Sequence, residues 1–449
     1  MKKVTLDNIF KAYDIRGLSP QELNPPVARA IGKAFADFVP AGTIAVGRDM
    51  RKDSNKLAEA FIAGLVEQGR EVIDLGLITS DMIYFAVGKL ELAGGAMITA
   101  SHNPKGYDGI KLTGKGVVPI GIDSGLLKIE QSIESGDYKK VIKTGNIIQK
   151  NITQDWVRHD VEIVKTIKTP LAIGIDTGNG MAGIVLPYLE NLTPLKITSL
   201  YKELDGNFPN HPANPLEIEN TKALRKLVVK EKLACGIAFD GDGDRAFIID
   251  NRGELISASI IGALIAKFLL EQNPGETILY NLICSDIVPA TIEGFGGRSV
   301  RTRVGHSFIK EEMRKQDAIF ACEHSGHFYF RDNYNADSGL IAALWVLKIL
   351  CSTGKELSEI VAPFKNMFAN SPELNFELKN KEEMLKVLER RYADGDQDHL
   401  DGLTVRYRDW WFNARPSNTE PFLRVNIEAK DEAILKTKTR DIKKILKTK

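Results

Sequence analysis

The chain is poor in cysteine, and its four cysteines, Cys235, Cys284, Cys322 and Cys351, show neither a CxxC pair nor a disulfide-framework spacing. A disulfide-stapled scaffold is therefore excluded, and a reduced, cytoplasmic protein is expected. There is no excess of either charge: 60 Lys and Arg stand against 59 Asp and Glu, for a net charge of +1. That balance argues against a protein built to coat nucleic acid or an anionic membrane. A membrane-length apolar run is also missing. The longest uncharged, mostly apolar stretch, Leu255 to Ala266, falls far short of the roughly 18 to 20 residues that span a bilayer. Lys2 and Lys3 are followed by Asp7 and Asn8 rather than an apolar segment, so no signal peptide is expected. The N-x-T triplets at Asn151 and Asn191 then read as chance. What the chain does have is length and apolar content. Its 449 residues are about three times a usual domain, and 43% hydrophobic residues suffice for several cores.

A pattern recurs along the chain. Thr43 to Gly47 is a short β-type run, followed by an amphipathic stretch from Leu57 to Gln68 and a second apolar run from Glu71 to Leu75. The same order returns at Leu171 to Ile175, Gly178 to Glu190 and Leu195 to Leu200. It returns again at Thr277 to Tyr280, Ser285 to Phe295 and Gly297 to Arg303. Strand, turn, helix and strand in this order predict α/β units. Each unit is followed by one more apolar strand that ends in a polar loop. Ala96 to Ile98 leads into Thr99 to Pro104, Cys235 to Phe239 into Asp240 to Arg245, and Ala318 to Ala321 into Cys322 to His327. Ligands of open α/β sheets bind beyond the carboxyl ends of strands, so three such loops predict one shared cleft.

The last part of the chain differs. Asn375 to Leu378, Leu403 to Tyr407, Trp410 to Phe412 and Phe422 to Ile427 are strand candidates, and Glu382 to Tyr392 and Asp431 to Leu446 are helical. On the second helix Ile434, Leu435, Lys438, Ile442, Ile445 and Leu446 share one face. Its lysine-rich end matches the helix dipole and reads as a solvated face rather than a nucleic-acid surface.

The loops suggest chemistry. Asp240, Asp242 and Asp244 alternate with Gly241 and Gly243, so three carboxylates can converge, and their hard oxygens suit Mg²⁺ or Ca²⁺. An EF-hand is excluded, because Arg245 and Asn251 stand where it needs Gly and Glu. Crowded carboxylates between apolar strands repel one another unless a cation joins them, which favours a metal site over a solvated turn. Ser101 is either a turn cap or a phosphoserine, with Lys105 and Lys111 as basic neighbours, and spacing alone leaves both readings standing. Glu323, Ser325 and His327 would point to one side if Cys322 to Phe328 were extended, a grip for sugar hydroxyls. Arg415 to Pro421 has the composition of an anion-binding loop. Gly178, Gly180 and Gly183 spell a literal GxGxxG, but the strand ending at Leu200 lacks the expected acid, so they read as turn glycines.

Together these motifs closely resemble the α-D-phosphohexomutase superfamily, of the phosphomannomutase/phosphoglucomutase type. The phosphoserine loop matches at residues 99–104, the metal loop at 240–245, the sugar loop at 322–327 and the phosphate loop at 415–421, in the family's order. Tyr13 to Gly17, Asp205 to Pro209 before His211, and Val304 to Ser307 are lesser matches. The resemblance implies three related α/β domains, about 1–150, 151–251 and 252–365, and a smaller α+β domain over 370–449, around a central cleft. It implies a phosphorylated Ser101, with Asp240, Asp242 and Asp244 as Mg²⁺ ligands and the serine phosphate supplying a further oxygen. Lys111, Arg16 and Arg245 would surround that phosphate, and His102 and His306 would lie in the cleft. Tyr13, Glu323, Ser325 and His327 would face the substrate, while Arg415, Ser417, Asn418 and Thr419 would hold the phosphate that is not reacting. The implied reaction interconverts hexose 1- and 6-phosphates through a 1,6-bisphosphate, which also serves as activator, in a monomer or homodimer.

Cys322 and His324 depart from the family's sugar loop, His324 at the position that varies with the sugar, and Ile283 stands where some relatives carry lysine. A phosphoglucosamine mutase is thus an alternative. A non-catalytic sugar-phosphate binder would have lost Ser101 or an Asp ligand, and both are present. A nicotinamide-dependent oxidoreductase would have to use the turn glycines.

Overall fold

The computed structural model describes residues 6, 9–165, 167, 169–378, 380–417 and 422–447. Among them the strands form four sheets, one after another along the chain. The first contains β1 (Ile15–Leu18), β2 (Ile44–Arg48), β3 (Val72–Leu77), β4 (Gly94–Ile98), β5 (Tyr107–Gly114) and β6 (Ile147–Gln149). The second contains β7 (Ala172–Asp176), β8 (Lys196–Leu200), β9 (Cys235–Phe239) and β10 (Ala246–Asp250). The third contains β11 (Thr277–Asn281), β12 (Arg298–Thr302), β13 (Phe320–Cys322), β14 (Phe328–Phe330) and β15 (Ala336–Asp337).

These three sheets repeat one plan. A middle strand (β2, β7 or β11) is flanked in parallel by its successor (β3, β8 or β12) and by the next strand (β4, β9 or β13). That last strand then turns into an antiparallel neighbour, β5, β10 or β14. The polar loops at residues 99–104, 240–245 and 322–327 occupy these three equivalent turns. The predicted pattern repeat is therefore a repeat of topology, and it delivers three loops from corresponding strand ends. Strands β4, β7, β9 and β11 are apolar almost throughout and almost wholly buried, as parallel strands covered on both faces must be.

One apolar core runs through all three units, from Ala45 in the first to Val361 in the third. At its centre lies the helix Gly339–Thr353, in which Leu340 to Leu347 are all buried and Ser338 Oγ accepts from Ile341 N at 3.2 Å as the cap. A helix that is apolar all round needs such a central place, and truncating one of its buried Leu or Ile side chains to Ala costs about 2–5 kcal/mol.

The fourth sheet is antiparallel, with β18 (Asp396–Asp398), β19 (Leu403–Arg406), β20 (Trp410–Pro416) and β21 (Phe422–Ala429) in order, and β16 (Ala369–Asn370) and β17 (Leu374–Glu377) both on β21. With the helices Lys381–Arg391 and Glu432–Lys447 it forms an α+β unit with a core of its own. Leu435, Ile442 and Leu446 enter that core, while Lys438 lies on the same face with its Nζ 4.6 Å from the Trp410 ring centroid, its stem covering the aromatic. No helix of the described residues is long and apolar enough to cross a membrane.

Two expectations need correction. The stretch Gly178 to Glu190 is not one helix: a 3₁₀ turn, Met181–Ile184, precedes a short helix, Leu186–Leu192. Gly178 and Asn179 adopt left-handed backbone, and Met181 N donates to Gly241 O at 2.9 Å, so this segment is shaped to support the neighbouring loop. The strand expected at Ala318 to Ala321 begins at Phe320, because Asp317 and the residues after it close the preceding helix first.

Candidate active site

Ser101 follows the end of β4 in a left-handed conformation, φ 51°, which non-glycine residues adopt at some cost. Its own backbone is held on both sides: Ser101 N donates to Thr99 Oγ1 at 2.9 Å, and Ser101 O accepts from Arg51 Nη2 at 2.7 Å. Arg51 also donates to the carbonyls of Asn103, Pro104 and Tyr107, and pairs with Asp49 at 3.2 Å. One buried guanidinium thus shapes the whole loop. Sequence reasoning missed it, although Gly47-Arg-Asp-Met-Arg51 also follows the carboxyl end of a strand.

The metal-loop candidate comes to meet this serine. A Cβ on Gly241 would lie 2.5 Å from Ser101 O, so only glycine permits the approach. Ser101 Oγ then donates to Asp240 Oδ2 at 3.0 Å and lies 3.2 Å from His102 Nδ1. Arg245 Nε donates to the same Asp240 oxygen at 2.8 Å. From β5, Lys111 Nζ donates to Asp242 Oδ2 and to Asp244 Oδ2, both at 2.7 Å. Ser80 Oγ donates to Asp242 Oδ2 at 2.5 Å, another contact that the sequence did not suggest.

The charges explain the titration of these groups. Burial pushes the Asp240 carboxyl up to about 7, with Arg245 pulling down and Asp244 and Asp242 pushing further up. Burial would also raise Asp242, but Lys111 and Ser80 hold it well below the usual carboxylate range. Asp242 and Asp244 in turn hold the Lys111 ammonium well above its ordinary value despite burial. Burial, with Arg245 and Arg16 nearby, keeps the His102 imidazole neutral.

The residues present fit a divalent cation. Asp240, Asp242 and Asp244 are buried and each brings a carboxylate oxygen within 4.8 Å of the others. Asp242 Oδ1 and Asp244 Oδ1 are buried without a hydrogen-bond partner among the described residues, and three hard oxygens suit Mg²⁺ or Ca²⁺. Lys111 and Arg245 supply two positive charges against three negative ones, so one negative charge of the cluster is left uncompensated.

Other predicted residues gather around this centre. Arg16 on β1 donates to Asn103 Oδ1 at 2.6 Å and pairs with Asp14, bracing the serine loop from its other side. Tyr13 OH donates to Val304 O at 2.9 Å, and its ring meets His306 edge-on at 5.7 Å between centroids. Burial and Lys310 keep the His306 imidazole neutral, and its Nδ1 has no partner among the described residues.

The sugar-loop candidate does not meet the condition under which its three side chains would align by alternation. Cys322 to Phe328 is not extended but a hairpin turn: Glu323 N donates to His327 O at 2.9 Å and Gly326 N to Glu323 O at 3.1 Å. Gly326 turns at φ 91°, where a side chain would be strained. The three side chains still converge, by the turn rather than by alternation. Ser325 Oγ lies 3.0 Å from His327 Nδ1, and the His327 ring stands 3.8 Å from Glu323 Oε1 and 3.7 Å from Asp244 Oδ1. Glu323 itself is held by Tyr329 OH and by Asn281 Nδ2, the latter at 3.0 Å. Behind the turn, Lys310 Nζ pairs with Asp337 at 2.6 Å over the Tyr84 ring.

Arg415 stands apart on β20, buried, with Nη1 donating to Asn426 Oδ1 at 2.8 Å and to Asn413 Oδ1 at 3.2 Å. Ser417 N donates to Phe422 O at 2.8 Å. Asn418 and Thr419 lie outside the described residues. The structure thus joins Ser101, His102, Lys111, Asp240, Asp242, Asp244, Arg245 and His327 into one connected cluster, and leaves Arg415 and Ser417 on a separate unit.

Comparison with known proteins agrees with this arrangement. The three α/β/α domains of phosphoglucomutase/phosphomannomutase match residues 7–140, 151–253 and 258–367, and its C-terminal domain matches 373–444. A phosphomannomutase of Escherichia coli K12 is 38% identical over 99% of this chain and 100% of its own. A protein described as phosphohexose mutases in Xanthomonas campestris pv. campestris is 37% identical over 98% of this chain and 99% of its own. The crystal structure of a phosphoglucomutase/phosphomannomutase family protein from Burkholderia thailandensis, 31% identical, superimposes with a TM-score of 0.90, covering 98% of this chain and 97% of the other. With the loops, the sheet plan and these relatives in agreement, the chain belongs to the phosphoglucomutase/phosphomannomutase family of hexose-phosphate mutases.

Proposed function

We propose that the enzyme interconverts the 1- and 6-phosphates of mannose and/or glucose, with phosphorylated Ser101 as donor and a hexose 1,6-bisphosphate as intermediate. The observation that carries this reading is the contact of Ser101 Oγ with Asp240, 3.0 Å, at the edge of a three-carboxylate cluster flanked by Lys111 and Arg245. A phosphate on Oγ would then be met by the divalent cation that these carboxylates would hold, with Lys111 and Arg245 adding positive charge.

In the first half-reaction the free sugar hydroxyl attacks the serine phosphate. The new sugar O–P bond forms as the Ser101 O–P bond breaks; the sugar hydroxyl gives up its proton, and the departing Ser101 Oγ takes one up to become the free hydroxyl. The bisphosphate turns over and presents its other phosphate, and Ser101 Oγ takes it back by the reverse exchange. Asp240, Asp242 and Asp244 would hold Mg²⁺, which when bound adds positive charge where the phosphoryl group is transferred. Lys111 and Arg245 fix those carboxylates and neutralise the rest of the developing charge. Arg51 and Arg16 keep the serine loop in its strained shape. Glu323, Ser325 and His327 face the hydroxyls, Tyr13 and His306 line the cleft, and Arg415 and Ser417, with Asn418 and Thr419, hold the phosphate at rest. Unit boundaries near residues 150, 251 and 365 go with this reading.

The test is an activity panel on mannose, glucose and glucosamine 1-phosphates with a bisphosphate activator. Turnover of mannose or glucose 1-phosphate that EDTA abolishes and Mg²⁺ restores is the expected result. A preference for glucosamine 1-phosphate, or activity indifferent to chelation, would overturn the reading.

A further inference from the structure

Glu373, just before β17, reaches the same guanidinium that is proposed to hold the resting phosphate. Its Oε2 accepts from Arg415 Nη2 at 2.7 Å, and its Oε1 lies 3.5 Å from Arg424 Nε. Arg415 and Arg424 are direct cross-strand partners on β20 and β21. Like charges placed so on a sheet repel, and an anion seated between them removes that cost.

The two sides of the contact differ in freedom. The Arg415 side chain is 6% exposed and its Nη1 is tied to Asn426 and Asn413, so the guanidinium cannot turn away. The Glu373 side chain is 27% exposed, so its carboxylate can move into water. The arginine edge is therefore fixed, and the anion on it is the exchangeable part.

We infer that Glu373 is the resident anion of the phosphate clamp: it holds Arg415 and Arg424 while the clamp is empty, yields them to the sugar phosphate, and takes them back when that phosphate leaves. The inference rests on the reading of Arg415 as the clamp. Binding there is then an exchange of one anion for another rather than a simple addition. A buried guanidinium never stands unpaired, so release of phosphate is easier than from a bare arginine pair, and affinity is correspondingly lower. Easy release is what the reaction needs, because the bisphosphate must let go with one phosphate and re-bind with the other between half-reactions.

The experiment uses the full-length enzyme and calorimetric titration with glucose 1,6-bisphosphate and with inorganic phosphate. Glu373→Gln removes the competing charge at nearly constant size and should bind both about tenfold more tightly. KM and kcat should fall together, as release becomes slow. Glu373→Ala, with folding checked by thermal melting, should change affinity in the same direction. Arg415→Ala is the parallel control and should weaken both ligands. Unchanged or weaker binding by the Glu373 variants, while Arg415→Ala weakens it, overturns the role of Glu373 alone. If Arg415→Ala also leaves affinity unchanged, the clamp itself is wrong and the inference falls with it.

Discussion

Asp240, Asp242 and Asp244 sit where units sharing one apolar core meet, whereas Arg415 sits on a sheet whose core is its own. Around Asp242 the joints are short and buried: Ser80 and Lys111 of the first unit both donate to a carboxylate of the second. The fourth unit is joined instead by exposed or half-buried polar contacts. Arg406 pairs with Asp286 at 2.9 Å, Asp286 N donates to Glu428 Oε1 at 2.8 Å, and Val304 N donates to Asp401 Oδ2 at 3.1 Å. On the proposed mechanism the contrast follows from what each end must do. Phosphoryl transfer depends on placement to within a fraction of an ångström, and an apolar core supplies that rigidity. Holding a phosphate that must later be released asks for grip without permanence, and polar contacts exchange readily with water.

The largest effect that would break this comparison is at the rigid end. Asp242→Asn removes a charge from the cluster and turns an amide toward Lys111 Nζ. Mutase activity should fall by about three orders of magnitude, while circular dichroism stays that of the folded protein. Activity within tenfold of wild type would show that the cluster does not serve the chemistry.

A smaller effect is expected at the gripping end. Binding energy from a remote phosphate positions the reacting one, so Arg415→Ala should raise KM and lower kcat for mannose and glucose phosphates alike, each by about tenfold. Steady-state kinetics decide it. If both constants stayed within about twofold, under about 0.5 kcal/mol, the fourth unit would not be part of the site.

How the serine end is braced sharpens the comparison further, and here the readout is stability. Ser54 Oγ lies 2.5 Å from Asp49 Oδ1 and 3.0 Å from Asp108 Oδ2. A hydroxyl has one proton and can donate to only one of the two carboxylates, so the other holds the contact by carrying a proton of its own. Burial, and then Asp49, pushes the Asp108 carboxyl from 3.8 up to about 8. The folded state therefore binds this proton more tightly than the unfolded chain, and stability falls as pH rises from about 4 to about 8. Asp108→Asn keeps a donor without a titrating group, so its Tm should decline less steeply than that of the wild type between pH 5 and pH 8. Parallel slopes would place the proton elsewhere.

Much of the site was legible because its loops are contiguous in sequence. Asp240 to Arg245 and Thr99 to Pro104 each carry their chemistry within a few residues and follow apolar strands, so strand-end logic found them. The α/β repeat was legible for the same reason, since strand periodicity is local. What stayed hidden comes from docking between distant segments. Arg51 reaches carbonyls some fifty residues on, Ser80 meets a carboxylate of another unit, and Glu373 finds Arg415 only through the pairing of β17, β20 and β21. The hairpin at Cys322 to Phe328 stayed hidden because the alternation of Glu323, Ser325 and His327 also suits a strand, while Gly326 at positive φ sets a turn.

A single-turnover experiment on Ser101 tests the central claim most directly. Enzyme isolated with phosphate on Ser101, located by intact mass and peptide mapping, is mixed with an equimolar amount of glucose 1-phosphate and quenched at intervals. The account predicts that one phosphate leaves Ser101 as the 1,6-bisphosphate appears, and that Ser101→Ala carries no such phosphate and forms no bisphosphate. Turnover by Ser101→Ala near the wild-type rate, or an isotopically labelled Ser101 phosphate that never passes to the sugar while product forms, would contradict it.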